Sequence, residues 1–293
     1  FRLPSCQKQL EAGLCKGKKC LAPKPCPALQ ANHTEYLHML RKLRAIPGVK
    51  KVFIRSGIRY DYMLQDPDES FFRELVQYHV SGQLRVAPEH CSAAVLDCMG
   101  KPHIEPYYTF RKRFYELTKS IGKEQYIVPY LMSSHPGSTL RDAIELSLFL
   151  KKERLRPEQV QDFYPTPGTI STCMFYTGLD PYTLEEIYVP RTDREKGMQR
   201  ALLQYYEPKN HAVVVRALRE AGRSDLIGFG PECLVRPLAG EKPAGNNRDQ
   251  KGKEHGRNAG GKKPAGSRKS PSRGNGTWTN HRQKKQEGRR GRG

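Results

Sequence analysis

Four cysteines stand close together near the start of the chain, Cys6, Cys15, Cys20 and Cys26, at the spacing C-x8-C-x4-C-x5-C. Thiols at this density pair as disulfides, which persist in oxidising compartments, or ligate zinc or an iron–sulfur cluster as thiolates. Lys8, Lys16, Lys18, Lys19 and Lys24 lie among them and would offset part of the charge of four thiolates, which favours ligation. The spacing is neither the paired C-x2-C of a zinc ribbon nor a ferredoxin run. The expectation is a metal centre whose metal, zinc or iron–sulfur, stays open.

Other groups capable of chemistry come in short clusters: Arg59-Tyr60-Asp61, Glu89-His90, Ser133-Ser134-His135-Pro136-Gly137 and Tyr164-Pro165. Each follows an apolar run that begins as a buried strand does: "VKKVFIRSG" (49–57), "GQLRVAPEH" (82–90), "QYIVPYLMSSHPGS" (125–138) and "QVQDFYPTPGT" (159–169). Helical patterns precede or separate them. "TEYLHMLRKLRAI" has Leu37, Leu40 and Leu43 on one side; "DPDESFFRELVQYHV" offers Asp66 as N-cap, Pro67 at the first helical position and Glu69 at N3. "STLRDAIELSLFLKKERL" carries Ile144 and Leu148, then Lys151 and Lys152 where a helix C-terminus favours cations. The strands recur about every 30 to 45 residues, the size of strand–helix units in a parallel sheet, and the clusters then fall at its carboxyl edge, where α/β barrels place their chemistry. Four strands do not close a barrel. The sequence therefore predicts an incomplete one, with chain missing before Phe1.

The chain has 293 residues and a formal charge of +21. Residues 241–293 hold 16 Lys and Arg against 4 Asp and Glu, a net of +12 that leaves +9 for the rest. This segment has almost no large aliphatic residue and is rich in Gly, Pro and Asn, so a disordered basic tail is expected over 240–293, with Trp278 outside any core. Interspersed cations and one indole suit non-specific nucleic-acid binding. "FRLPSCQKQL" contains no apolar run able to act as a signal or membrane span. No membrane association and a cytoplasmic location are expected.

Taken in order, "SGIRYD", "APEH", "HPG" and "DFYP" resemble the strand ends of the YgiQ family of radical S-adenosylmethionine (SAM) proteins, after the third, fourth, fifth and sixth strands. The cysteine quartet also resembles that family's second cysteine group. The resemblance runs from Ser5 to about Gly228. It implies an α/β fold that is the C-terminal part of a radical SAM partial TIM-like barrel of about four strand–helix units, with a small helical appendage and a disordered tail. It also implies reductive cleavage of SAM to a 5′-deoxyadenosyl radical, a 4Fe-4S cluster in the full-length parent, and an external electron donor. The C-x3-C-x2-C loop that holds this cluster in the family is absent. The quartet is then an auxiliary iron–sulfur or zinc site, and the chain alone should be inactive.

On this resemblance Glu89 is the candidate acceptor for the ribose hydroxyls, or else a surface carboxylate. Ser133, Ser134, His135 and Gly137 would lie along the cofactor, or serve only the turn. Tyr164 and Pro165 would meet adenine, or be a buried strand end. Arg59 and His90 are the candidate catalytic groups at the same mouth, with pairing to Asp61 the alternative for Arg59. Cys91 and Cys98 are expected in the core. The domain layout is 1–33 cysteine-rich, 34–169 barrel part, 170–239 a small domain with helices over about 193–206 and 210–221, and 240–293 tail. The rival reading is a non-enzymatic nucleic-acid-binding protein with a structural zinc site.

Overall fold

The computed structural model describes residues 6–13, 15, 19–158 and 160–240. A short helix, α1 (Gln7–Ala12), is followed by α2 (Thr34–Ala45), α3 (Tyr60–Met63), and α4 (Ser70–Glu74), which continues as a π-helical turn over Leu75–His79. Three strand–helix units come next: β1 (Gln83–Glu89) with α5 (Ala93–Met99) and α6 (Glu105–Ser120), β2 (Tyr126–Ser133) with α7 (Leu140–Lys152), and β3 (Gln161–Asp162) with α8 (Ile170–Thr177). Two further helices, α9 (Asp193–Leu203) and α10 (His211–Glu220), complete the described helical part apart from 3-10 turns.

The strands form one parallel sheet in the order β1-β2-β3, with Leu84 beside Ile127 and Ser133 beside Asp162. It is an open α/β sheet, neither curled nor closed, which corrects the expected partial TIM-like barrel. The first predicted strand, 49–57, does not join as a regular strand, because His79 takes its backbone partners. The His79 ring donates from Nδ1 to the Val52 carbonyl at 2.8 Å, and its carbonyl accepts the Ile54 N–H at 2.9 Å. Only Ile58 reaches the sheet, as a single parallel bridge to Val86. At the other edge β3 pairs with only the last two residues of β2 before turning away at Tyr164 and Pro165.

One face of the sheet is buried and the other is open. Leu84, Val86, Ile127 and Leu131 pack beneath it with Phe110 and Phe114 of α6 and Leu146 and Leu150 of α7. Arg85, Tyr126, Val128 and Tyr130 alternate with them and are exposed, the period-2 pattern of a sheet covered on one side. A second core joins Ala143 and Ile144 of α7 to Met198 and Leu202 of α9 and Val214 and Leu218 of α10. Full burial of a side chain such as Leu202 contributes about 1.5–3 kcal/mol.

Helix starts differ from the sequence expectation where carboxylates are otherwise engaged. Asp66 accepts the His33 N–H at 2.8 Å and lies 2.7 Å from its ring Nδ1, and its other oxygen accepts Asp68 N–H. Asp68 in turn accepts Ser70 N–H, so α4 begins at Ser70 rather than just after Asp66. Thr192 caps α9, in a reciprocal box with Glu195. Leu43 of α2 is exposed while Leu37 and Leu40 are buried. The expected disordered tail from Glu241 onward, with Trp278, lies outside the described residues, as does Gln159.

Candidate functional site

Parallel strands aim their carboxyl ends at one edge, where open α/β sheets bind ligands. Two residues there stand out. Glu89, the last residue of β1, has φ 68°, and Ser134, the residue after β2, has φ 62°. A side chain in the left-handed region costs on the order of 1–2 kcal/mol, and such strain collects at functional sites. Each also holds a buried side-chain oxygen with no hydrogen-bond partner, Oε2 of Glu89 and Oγ of Ser134. The two positions are close in register, since Glu89 pairs with Leu131, three residues before Ser134.

The groups around them are ordered by other elements. Lys101, beyond α5, donates to the Ala87 carbonyl at 2.8 Å and to Glu89 Oε1 at 3.1 Å, so one oxygen of the carboxylate is held while the other is left over. Ser133 donates its hydroxyl to Asp162 at 2.5 Å, tying the ends of β2 and β3 together. His135 is buried; its Nδ1 donates to the Pro136 carbonyl at 2.6 Å, which leaves Nε2 to accept from the Ser171 hydroxyl at 2.8 Å. Gly137 has φ 89°, and a Cβ there would come within 2.7 Å of Cys98 Sγ, so the turn needs glycine on both counts.

His90 is also buried, and its Nδ1 accepts the Ser92 N–H at 3.0 Å. Ser92 donates its hydroxyl to Asp142 at 2.6 Å, and Asp142 also closes the capping box of α7 with Thr139. Burial drives the pKa of both histidines down to about 4, so both rings are neutral near pH 7. Burial pushes the Asp142 carboxyl up, but hydrogen bonds from Ser92 and Thr139 outweigh it and hold the group below the usual range.

The other predicted residues are paired, part of the core, or exposed. Arg59 makes a two-pronged pair with Asp61, Nε to Oδ1 at 2.9 Å and a terminal nitrogen to Oδ2 at 2.7 Å, with the guanidinium mostly in solvent. Tyr60 is core, its phenol pushed up by burial. Tyr164 is 75% exposed and Pro165 half-buried. Cys91 and Cys98 are half-buried beside the core, and burial raises the Cys91 thiol to about 12.

The cysteine quartet requires correction. Among the described residues no group of three or more His, Cys, Asp or Glu side chains is placed to hold a metal ion, and none of the eight cysteines forms a disulfide. Thiolates on one zinc sit within ~4 Å of each other. Cys6 is the N-cap of α1 and Cys15 lies beyond its C-cap Gly13, so a helix about 9 Å long by its rise separates them along the chain. The expected metal-binding and iron–sulfur character, the auxiliary cluster and the zinc of the rival reading are all withdrawn for these residues.

Residues 158–293 match a domain of unknown function, DUF3362. The chain is similar to a UPF0313 protein of Clostridium perfringens strain 13, 60% identical over 236 residues that make up 80% of this chain and 36% of that protein. A UPF0313 protein of Clostridium botulinum strain 657 is 56% identical over 235 residues, 80% of this chain and 37% of its own length. The chain therefore spans little more than a third of the curated relatives it matches.

Reading the sequence missed Lys101, Ser92, Asp142, Ser171 and Gln199 as parts of this edge. Only Asp142 carried a signal, three residues after Thr139 at a helix start. Gln199 of α9 is buried, and it bonds to the turn after β2, 61 residues earlier in Ser138. Among the described residues no helix is long and apolar enough to cross a membrane.

Proposed function

We propose that this chain is the C-terminal part of a YgiQ-like radical SAM enzyme, and that the carboxyl edge of its sheet is one wall of the SAM site. The observation that carries this reading is the pair of left-handed strand-end residues with unpartnered buried oxygens, Glu89 and Ser134. A carboxylate oxygen held in place by Lys101 on one side and open on the other fits a ribose hydroxyl. A second buried hydroxyl close in register fits a further polar group of the same ligand. Leaving such atoms without a partner costs about 1–3 kcal/mol each, which bound ligand would recover.

Glu89 and Ser134 would hold SAM, which would supply radical chemistry on one-electron reduction by an external donor. The chain's own residues bind and orient. His90 and His135, neutral and buried, add no positive charge beside a sulfonium ligand. Ser133, Asp162 and the 134–138 turn fix the strand ends. A cytoplasmic location would supply the reducing conditions that one-electron chemistry needs.

The test is 5′-deoxyadenosine formation under a strong reductant by the full-length protein, by the same protein carrying Glu89→Gln, and by this chain. The full-length protein should turn over, Glu89→Gln should lose at least tenfold, and this chain should form none. An unaffected Glu89→Gln protein removes Glu89 from the site. No turnover by the full-length protein overturns the reading.

A further inference from the structure

The open face of the sheet carries a feature that the strand-end site does not use. A groove of about 1040 Å³ runs along β1 and β2 and is walled on the far side by residues 155–158 and 160, α9 and the 3-10 turn Pro208–Asn210. It exists because β3 is short: Gln161 and Asp162 pair with Met132 and Ser133, so β2 before Met132 has no strand partner on that side. The volume is at the upper limit for small-molecule pockets, and the groove is open along its length rather than enclosed.

Its cations come from separate elements. Arg85 projects from β1, Arg156 from the loop, Lys209 from the 3-10 turn and Arg200 from α9. Arg200 is paired with Asp162. Arg85, Arg156 and Lys209 are exposed and have no carboxylate partner among the described residues; Arg156 lies instead over the Tyr206 ring at 5.6 Å. On the same open face Tyr126 and Tyr130 stand four residues apart, about 13 Å by strand rise, and are 58% and 41% exposed.

We propose that this groove binds single-stranded nucleic acid, with Arg85, Arg156 and Lys209 on successive phosphates and Tyr126 and Tyr130 as stacking platforms for bases. Dispersed positive charge selects a chain of phosphates over one phosphate, which needs converging donors. Aromatic rings beside a cationic track are the combination that holds unpaired bases irrespective of sequence. A duplex keeps its bases stacked on each other and cannot use the tyrosines. Asp162, whose carboxylate takes the Ser133 hydroxyl, is among the groove's lining residues, so a strand lying in it would reach the carboxyl edge of the sheet. This assignment does not rest on the SAM reading and is measured without SAM.

The experiment uses the full chain with a short fluorescent oligouridylate, followed by anisotropy across a salt series, beside the same strand in duplex form. Arg85→Ala/Arg156→Ala/Lys209→Ala should bind at least tenfold more weakly at low salt. Its slope of log affinity against log salt should fall by about 2, since each phosphate contact on a single strand accounts for about 0.7. Tyr130→Ala should weaken the single strand and leave the duplex unchanged, and ultraviolet crosslinks should map to 126–130. A control with Lys42→Ala/Lys112→Ala/Lys119→Ala, exposed on α2 and α6, should keep the wild-type slope, and equal urea midpoints exclude misfolding. An unchanged slope in the groove triple variant, or crosslinks confined to 241–293, overturns the proposal. The former is the result expected if these cations seat another polypeptide segment.

Discussion

Gln199 holds Ser138 at two points: its side-chain oxygen accepts the Ser138 hydroxyl at 2.9 Å and its nitrogen donates to the Ser138 carbonyl at 2.7 Å. The same oxygen accepts the Ser134 N–H at 3.1 Å. One buried amide from α9, within the stretch matching the domain of unknown function, therefore sets the turn that follows β2. The helix is part of the candidate site's frame as well as of the second core.

The first prediction follows from that amide. Gln199→Leu would remove one partner from three buried groups, each costing about 1–3 kcal/mol when left unsatisfied. Relaxation of the turn will recover part of this, so a loss of about 2–4 kcal/mol in urea unfolding is expected. Amide exchange at Ser134 should accelerate more than exchange in β1. Gln199→Glu keeps the acceptor and should recover part of the loss.

The backbone of Ser134 leads to the second prediction, which has the opposite sign. Ser134→Gly removes the left-handed penalty of about 1–2 kcal/mol and an unpartnered buried oxygen, against about 0.5–1 kcal/mol for glycine's extra freedom when unfolded. The N–H to Gln199 is kept. The variant should be more stable by about 1 kcal/mol and weaker in whatever ligand the edge binds. A stability gain with unchanged SAM turnover in the full-length protein would leave Ser134 as a turn residue alone.

Much of this frame was legible in local patterns, and what was not lies in long-range pairing. The apolar runs at 82–90 and 125–138 became β1 and β2 because alternation reports a half-buried strand. The run at 49–57 alternates as well, yet His79 takes the Val52 carbonyl with its ring and the Ile54 N–H with its own carbonyl, and an N–H so engaged is not free for a ladder. Barrel closure was not legible either, because the length of β3 depends on where the chain turns at Pro165. Glu89 and Ser134 could be singled out by their place at strand ends. Their left-handed backbone and unpartnered oxygens could not, since no residue type there announces them. The density of cysteines in the sequence carries no information on the distance between their thiols, and α1 separates Cys6 from Cys15 along the chain.

The third prediction concerns acid. His90 and His135 have pKa values of about 4 in the fold against an ordinary 6.5, because burial disfavours the charged ring. A depressed pKa means that the unfolded chain binds more protons between the two values. The stability from neutral burial is therefore complete above about pH 6.5 and is lost as pH falls toward 4, at up to about 1.4 kcal/mol per pH unit for each ring. Asp142 acts in a different window. Its lowered carboxyl contributes stability that is lost only as pH falls below its ordinary 3.8. Glu145, raised by burial, works against the histidines in the upper range. The decisive measurement is the urea midpoint as a function of pH for wild type and His90→Asn, whose amide oxygen can still accept the Ser92 N–H. The variant's curve should be shallower by about one proton between pH 6.5 and 4. Parallel curves would mean that His90 is not held neutral by its surroundings.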